Sequence, residues 1–254
     1  MSMFKRIILA CALATVSSFA TWDLFPVLEN HKGQAGLGAT YHTYEYNDVD
    51  YRYLDLYAGA RYTVIQDLEL ALSIPYRAFV YIDDKNVENN EFGNLLFSTR
   101  YQFIPVMNVF ADIYIPITHM DEDIWGLDVG LQFSRRISQL INFGSQLGAS
   151  LRTEYDFSDG FFDVYGSACL RFAVTPQFTP YFGTSINFSL GGFSDEGYEY
   201  SHGGGNLYLG PYVGAIYDFN NTVSVDAWGR IGRYVNEDNA TLFITTGLSV
   251  LFNF

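Results

Sequence analysis

The sequence predicts an all-β chain: a single antiparallel, up-and-down transmembrane β-barrel of about twelve strands. Three observations predict it. The stretch Ala240–Phe254 alternates with a period of two, so Leu242, Ile244, Thr246, Leu248, Val250, Phe252 and Phe254 share one face. That face is long enough to cross a hydrocarbon layer as a tilted strand, which needs about 9–11 residues. Second, tight turns alternate with longer links along the whole chain, the asymmetry of barrels with short periplasmic turns and long outer loops. Third, the outward sets of the third, sixth, tenth and eleventh strands carry no charge, as on Leu68, Leu70, Leu72, Ile74, Tyr76 and Ala78.

The chain opens with Lys5 and Arg6, an apolar run Ile7–Val16 and the small residues Ser18 and Ala20. This reads as a signal peptide over 1–20, with a mature start at Thr21. Cys11 sits in a poor lipobox, so no lipoprotein is expected. Cys169 is then the single mature cysteine, and no intrachain disulfide can form. Residues 21–32 form a short periplasmic lead with Trp22 and Phe25, too few for a plug domain. No later apolar run reaches the ~18 residues of a membrane helix.

The barrel proper occupies 33–254. Strands are expected at 33–44, 51–64, 68–82, 92–104, 107–118, 125–137, 140–154, 161–174, 178–190, 205–219, 222–234 and 240–254. The tight turns are Ile65–Asp67, Pro105–Val106, Ser138–Gln139, Thr175–Gln177 and Asn220–Asn221. The even strand number returns both termini to the short-turn side, read as periplasmic. Outward sets include Trp125, Leu127, Val129, Leu131 and Phe133, and Leu207, Leu209, Pro211, Val213, Ala215, Tyr217 and Phe219. Aromatics gather at the short turns, with Tyr62, Phe103, Phe178, Phe219, Phe252 and Phe254 among them, and again at Trp125, Phe162 and Phe188. They read as two interfacial girdles.

The opposite face carries the charge. Arg61, Arg77, Arg100, Arg136, Arg152, Arg171 and Arg230 fall at inward positions, as do Asp112, Asp128, Asp163 and Asp226. Bulky Tyr57, Phe79, Phe110, Tyr114, Tyr165, Tyr181, Tyr208, Tyr212 and Trp228 share it. Two readings stand side by side: a polarised pore lining, or an ion-pair network that fills the barrel. A twelve-strand barrel lies between side-chain-filled eight-strand barrels and wide porins, so size does not decide.

The net charge of −14 collects in the long links, at Asp121, Glu122, Asp123, Asp195 and Glu196 among others. Such loops could concentrate cations, bind divalent ions shared with lipopolysaccharide, or simply be solvated. The run Asp121-Glu122-Asp123 lacks the spaced ligands and central Gly of an EF-hand, so no metal site is read there. Catalysis has little support. The histidines His31, His42, His119 and His202 show no metal-ligand spacing, and His42 is followed by Thr43-Tyr44 rather than the His-x-Ser of barrel lipid hydrolases. The Gly203-Gly204-Gly205 run precedes no helix and is not a phosphate cradle. No cofactor and no nucleic-acid partner is expected.

Two resemblances add to this. The chain ends on Phe254 after alternating apolar residues, which resembles the last strand of bacterial outer-membrane barrels. There the ending, here Phe252 and Phe254, is read by the barrel assembly machinery. The stretches Arg61–Arg77 and Ile113–Leu151 resemble the MetA-pathway of phenol degradation group of outer-membrane transporters. That similarity implies passage of small compounds, hydrophobic ones among them. This chain has Pro116-Ile117-Thr118 where the group has Pro-Thr-Gly. The sequence is thus read as a monomeric outer-membrane channel or transporter for small solutes, embedded in lipid and lipopolysaccharide. The alternatives are a closed structural or surface-binding barrel, then a lipid enzyme.

Overall fold

A computed structural model describes residues 24–46, 49–83, 85–87, 91–117, 124–154, 159–194, 197–199, 204–235 and 241–254. Every regular element among them is a strand. In chain order they are β1 Gly33–Tyr46, β2 Val49–Ile65, β3 Leu68–Ile82, β4 Lys85–Val87, β5 Glu91–Phe92, β6 Leu95–Ile104, β7 Met107–Ile115, β8 Trp125–Arg136, β9 Ile141–Thr153, β10 Gly160–Phe172, β11 Phe178–Ser194, β12 Gly197–Glu199, β13 Leu207–Asp218, β14 Val223–Tyr234 and β15 Leu242–Asn253.

Twelve of these are staves of one closed antiparallel barrel. Each stave pairs with its neighbours in the chain, and β1 pairs β15 from Gln34↔Asn253 to Tyr44↔Phe243 to close the ring. The short β4 and β5 pair with β3, and β12 pairs with β11, all at the end with the long links. Closure matters because a spanning sheet must leave no unpaired edge in hydrocarbon. Backbone bonds Gly33 N to Phe254 O, 2.8 Å, and Phe254 N to Gly33 O, 3.0 Å, fasten the last residue to the first stave.

Three of the five short turns share one device. Ser138 Oγ accepts from Leu140 N and Ile141 N, at 3.2 and 3.1 Å. Thr175 Oγ1 accepts from Gln177 N and Phe178 N, and Asn220 Oδ1 from Thr222 N and Val223 N. Each side-chain oxygen satisfies two amides that a tight turn would otherwise leave bare.

Period-two alternation sorts the faces. The outer face is apolar and open, with Leu37, Leu72, Leu147, Val213, Ile231 and Leu248 among its most exposed residues. Tyr62, Phe103, Phe178, Phe219, Phe252 and Phe254 stand exposed near the short-turn end. Register shifts break the predicted alternation in several strands, and the one in β3 reverses an expected face. Asp55 pairs Arg77 but Leu54 pairs Phe79, so Ala78 is an extra residue in β3. This bulge turns Phe79, expected inside, to the outer register and brings Val80 and Ile82 inside against Tyr44, Tyr51 and Tyr53.

The lead also departs from expectation. The sequence reading gave residues 21–32 no role beyond a short periplasmic segment. The structure tucks Leu24 and the residues after it into the short-turn mouth, where Leu24 is among the most buried residues, 1% exposed.

Candidate functional site

The candidate site is the lumen, and its lining is built stave against stave. On β8 and β9, Arg152 grips Asp128 with both guanidinium nitrogens, Nη2 to Oδ2 at 3.2 Å. The Tyr114 hydroxyl donates to the same carboxylate, 3.2 Å, and its ring lies 4.2 Å beneath the guanidinium. On β2 and β3, Arg77 forks onto Asp55 at 2.8 and 3.2 Å. Arg77 also lies 4.5 Å over the Tyr53 ring, against which His42 stacks at 4.4 Å. His42 Nε2 is 3.9 Å from Asp55. Arg61 meets Glu69 at 3.5 Å and donates to Gln34 at 3.2 Å. Arg100 meets Asp112 at 3.7 Å. Arginine suits these places because its fork matches a carboxylate and it stays ionised when buried.

Each of these four arginine–carboxylate pairs joins neighbouring staves rather than spanning the lumen. The large rings follow the same plan. A Cβ at Gly38 would collide with the Tyr57 ring, one at Gly183 with Tyr212, and one at Gly247 with Trp228. Inward glycines therefore leave hollows in which aromatic rings lie along the wall, a close approach that only Gly permits.

The remaining predicted residues fall out as follows. Asp163 is buried and accepts from Asn187, 3.4 Å. Asp226 is buried and accepts from the Tyr181 hydroxyl, 2.8 Å. Arg230 is buried, in register with Tyr212 and Thr245. Arg171 stacks over the Phe25 ring at 3.6 Å. Arg136 is corrected: it stands at the inward register, but the wall ends there. It is an exposed rim residue donating to Ser138 O and Gln139 O at 3.2 and 2.8 Å. Asp121, Glu122, Asp123, Asp195 and Glu196 lie outside the described residues.

What sequence reasoning missed is the content of the mouth. Leu28 N donates to Glu69 Oε2 at 3.0 Å, and Thr63 Oγ1 donates to Leu28 O at 2.9 Å. Leu24 packs with Cys169, Tyr181 and Tyr212, and its carbonyl occupies the space above Gly144. The available signal was the apolar run Leu24-Phe25-Pro26-Val27-Leu28, out of place in a solvated tail.

No family model and no curated protein sequence matches the chain. Solved structures do match. The COG4313 outer membrane channel from Pseudomonas putida F1 aligns with a TM-score of 0.70 at 11% identity, over 91% of this chain and 98% of that one. The translocator domain of the autotransporter NalP from Neisseria meningitidis gives 0.59 at 11%, over 98% and 96%. The CymD monoaromatic hydrocarbon channel gives 0.55 at 10%, over 89% of each. At these identities the likeness is one of fold. This chain has the fold of outer-membrane β-barrels.

Proposed function

We propose that this chain is a channel for small solutes in the bacterial outer membrane. The observation that carries the reading is the direction of the lining contacts. A network built to fill a barrel ties opposite walls together. Among the described residues, four arginine–carboxylate pairs run along the wall and rings lie over glycines, so these groups are arranged around an axis. The apolar outer face with aromatics at its rim fits a lipid bilayer, and lipopolysaccharide would meet the long links. Assembly would use the exposed terminal aromatics Phe252 and Phe254. The orientation with both termini periplasmic, the cleaved signal peptide and the monomeric state belong to the same proposal.

The solute class follows from the lining. Tyrosine rings backed by glycine offer flat apolar faces, and paired guanidinium groups offer little net charge. Small aromatic or weakly polar molecules fit such a surface. The resemblance to the MetA-pathway group points the same way, and so does the CymD fold, whose solved structure is called a monoaromatic hydrocarbon channel. Proteoliposome uptake tests the proposal: a small neutral aromatic such as phenol should enter faster than through protein-free vesicles, and a trisaccharide should not. Equal leak with and without folded protein would refute it.

One observation favours the second reading, a closed structural barrel. The lead crosses the short-turn mouth and occupies part of the lumen. A permanently closed barrel would pass neither solute nor ions.

A further inference from the structure

The lead is held at one side and wedged at the other. His31 turns the chain with φ of 59°, a left-handed value that histidine tolerates better than bulkier residues. His31 N donates to Thr63 O at 3.1 Å and Thr63 N donates to Lys32 O at 3.0 Å. With the two bonds to Leu28, this pins residues 28–32 to β2 and β3. The tip lies elsewhere. Leu24 packs against Cys169 on β10, Tyr181 on β11 and Tyr212 on β13, and Phe25 lies under Arg171 of β10. In the ring, β10 is six staves from β2 in both directions. Base and tip therefore meet opposite walls, and the segment between them crosses the mouth along its diameter.

The base and the tip are held by different forces. The base has backbone hydrogen bonds to β2 and a bond from Leu28 N to the Glu69 side chain of β3. The tip has apolar packing and a cation–ring contact, which can be broken and remade without leaving a buried backbone group of the wall unpaired. An anchored base at Leu28–Lys32 and an apolar tip at Leu24–Phe25 are the parts of a strap that bends ahead of Leu28.

We infer that Leu24–Lys32 is a built-in gate: its Leu24–Phe25 tip closes the short-turn end of the lumen, and solute passes when the tip swings off the β10–β13 wall. This rests on the channel reading. It adds that the closing element is the chain's own N-terminal segment rather than the wall.

The test uses full-length folded protein in planar bilayers with potassium chloride as the probe. In one variant Leu24→Gly and Phe25→Gly keep the length and the Leu28 anchors but remove the wedge. In a second, Leu24→Cys faces the native Cys169 in the same packed cluster, so oxidation locks the tip to the wall and a reductant frees it. Closure by the strap predicts that the glycine variant spends several-fold more time open than wild type. It also predicts that the oxidised cysteine variant is closed until reduced, and that a Cys169→Ser partner variant ignores the redox treatment. Equal open time in wild type and the glycine variant, or an oxidised form that conducts like the reduced one, overturns the gate and leaves the channel standing. No current from any of them, with the barrel shown to be folded, overturns both.

Discussion

The two ends of the lumen are occupied by different material. At the long-link end the wall's own side chains meet. Tyr44 stacks on Tyr51 at 4.8 Å, His42 on Tyr53 at 4.4 Å, and Phe243 touches Tyr44, Tyr208 and Tyr234. At the short-turn end a piece of chain lies across from outside the ring. Side chains on a hydrogen-bonded wall move only by changing rotamer, and here rings and ion pairs hold them. A hinged segment can leave as a body, because burying one large apolar side chain is worth only about 1.5–3 kcal/mol. On the proposed reading the difference is a division of labour, in which the wall would set what fits and the strap would set when the path is open.

Breaking the wall should have the largest effect. Arg152→Ala leaves Asp128 buried without its guanidinium and should cost about 3–5 kcal/mol. The midpoint of urea unfolding, followed by heat-modifiable migration, reads it. The double change Asp128→Asn with Arg152→Gln should recover much of the loss, and failure to do so would mean the pair is not the cause.

Breaking the strap's seat should cost less and act differently. Gly144→Val places a side chain where the Leu24 carbonyl sits. The tip should leave the wall, the lead should become open to protease, and stability should fall by no more than the about 1.5–3 kcal/mol of a buried leucine. A protected lead in this variant would show that the two sites are not in competition.

Deleting Phe254 sharpens the same comparison at the strap's base. The deletion removes two backbone bonds to Gly33, each worth about 0.5–1.5 kcal/mol. It also removes an exposed aromatic from the rim. Folded barrel in the outer membrane should drop, while protein that does fold should keep its long-link end unchanged. Unaltered abundance and migration would count against a role in assembly.

The smallest effect belongs to the long links. Replacing Asp121, Glu122 and Asp123, read from the sequence as solvated link charges, by their amides should leave unfolding unchanged. It should weaken cation preference at low salt. A measurable stability loss would place these residues in a structural network instead.

The barrel was legible because period two and loop asymmetry are local signals. Leu242, Ile244, Leu248 and Phe252 declare a face without knowledge of any partner. Arg152 and Asp128 were legible as inward for the same reason. The pairing of Arg152 with Asp128 was not, since it depends on the register of β8 against β9. Phe79 was misplaced because one extra residue in β3 shifts the alternation without changing the composition. Arg136 has the inward register but the wall ends beneath it, and strand ends are the least readable part of a sequence. The strap was hidden for a different reason. A segment with no period has no face, and Leu24 acquires a partner only when distant Gly144, Cys169 and Tyr212 are brought to one place.

The central claim is that a path runs through this barrel, and single-channel recording of the folded wild-type protein under a potassium chloride gradient tests it most directly. The account predicts small discrete openings with a weak cation preference from the acidic links. That preference should fade as salt rises, because the links' field reaches only about 8–10 Å at physiological ionic strength. A silent membrane, or openings that prefer anions, would contradict it.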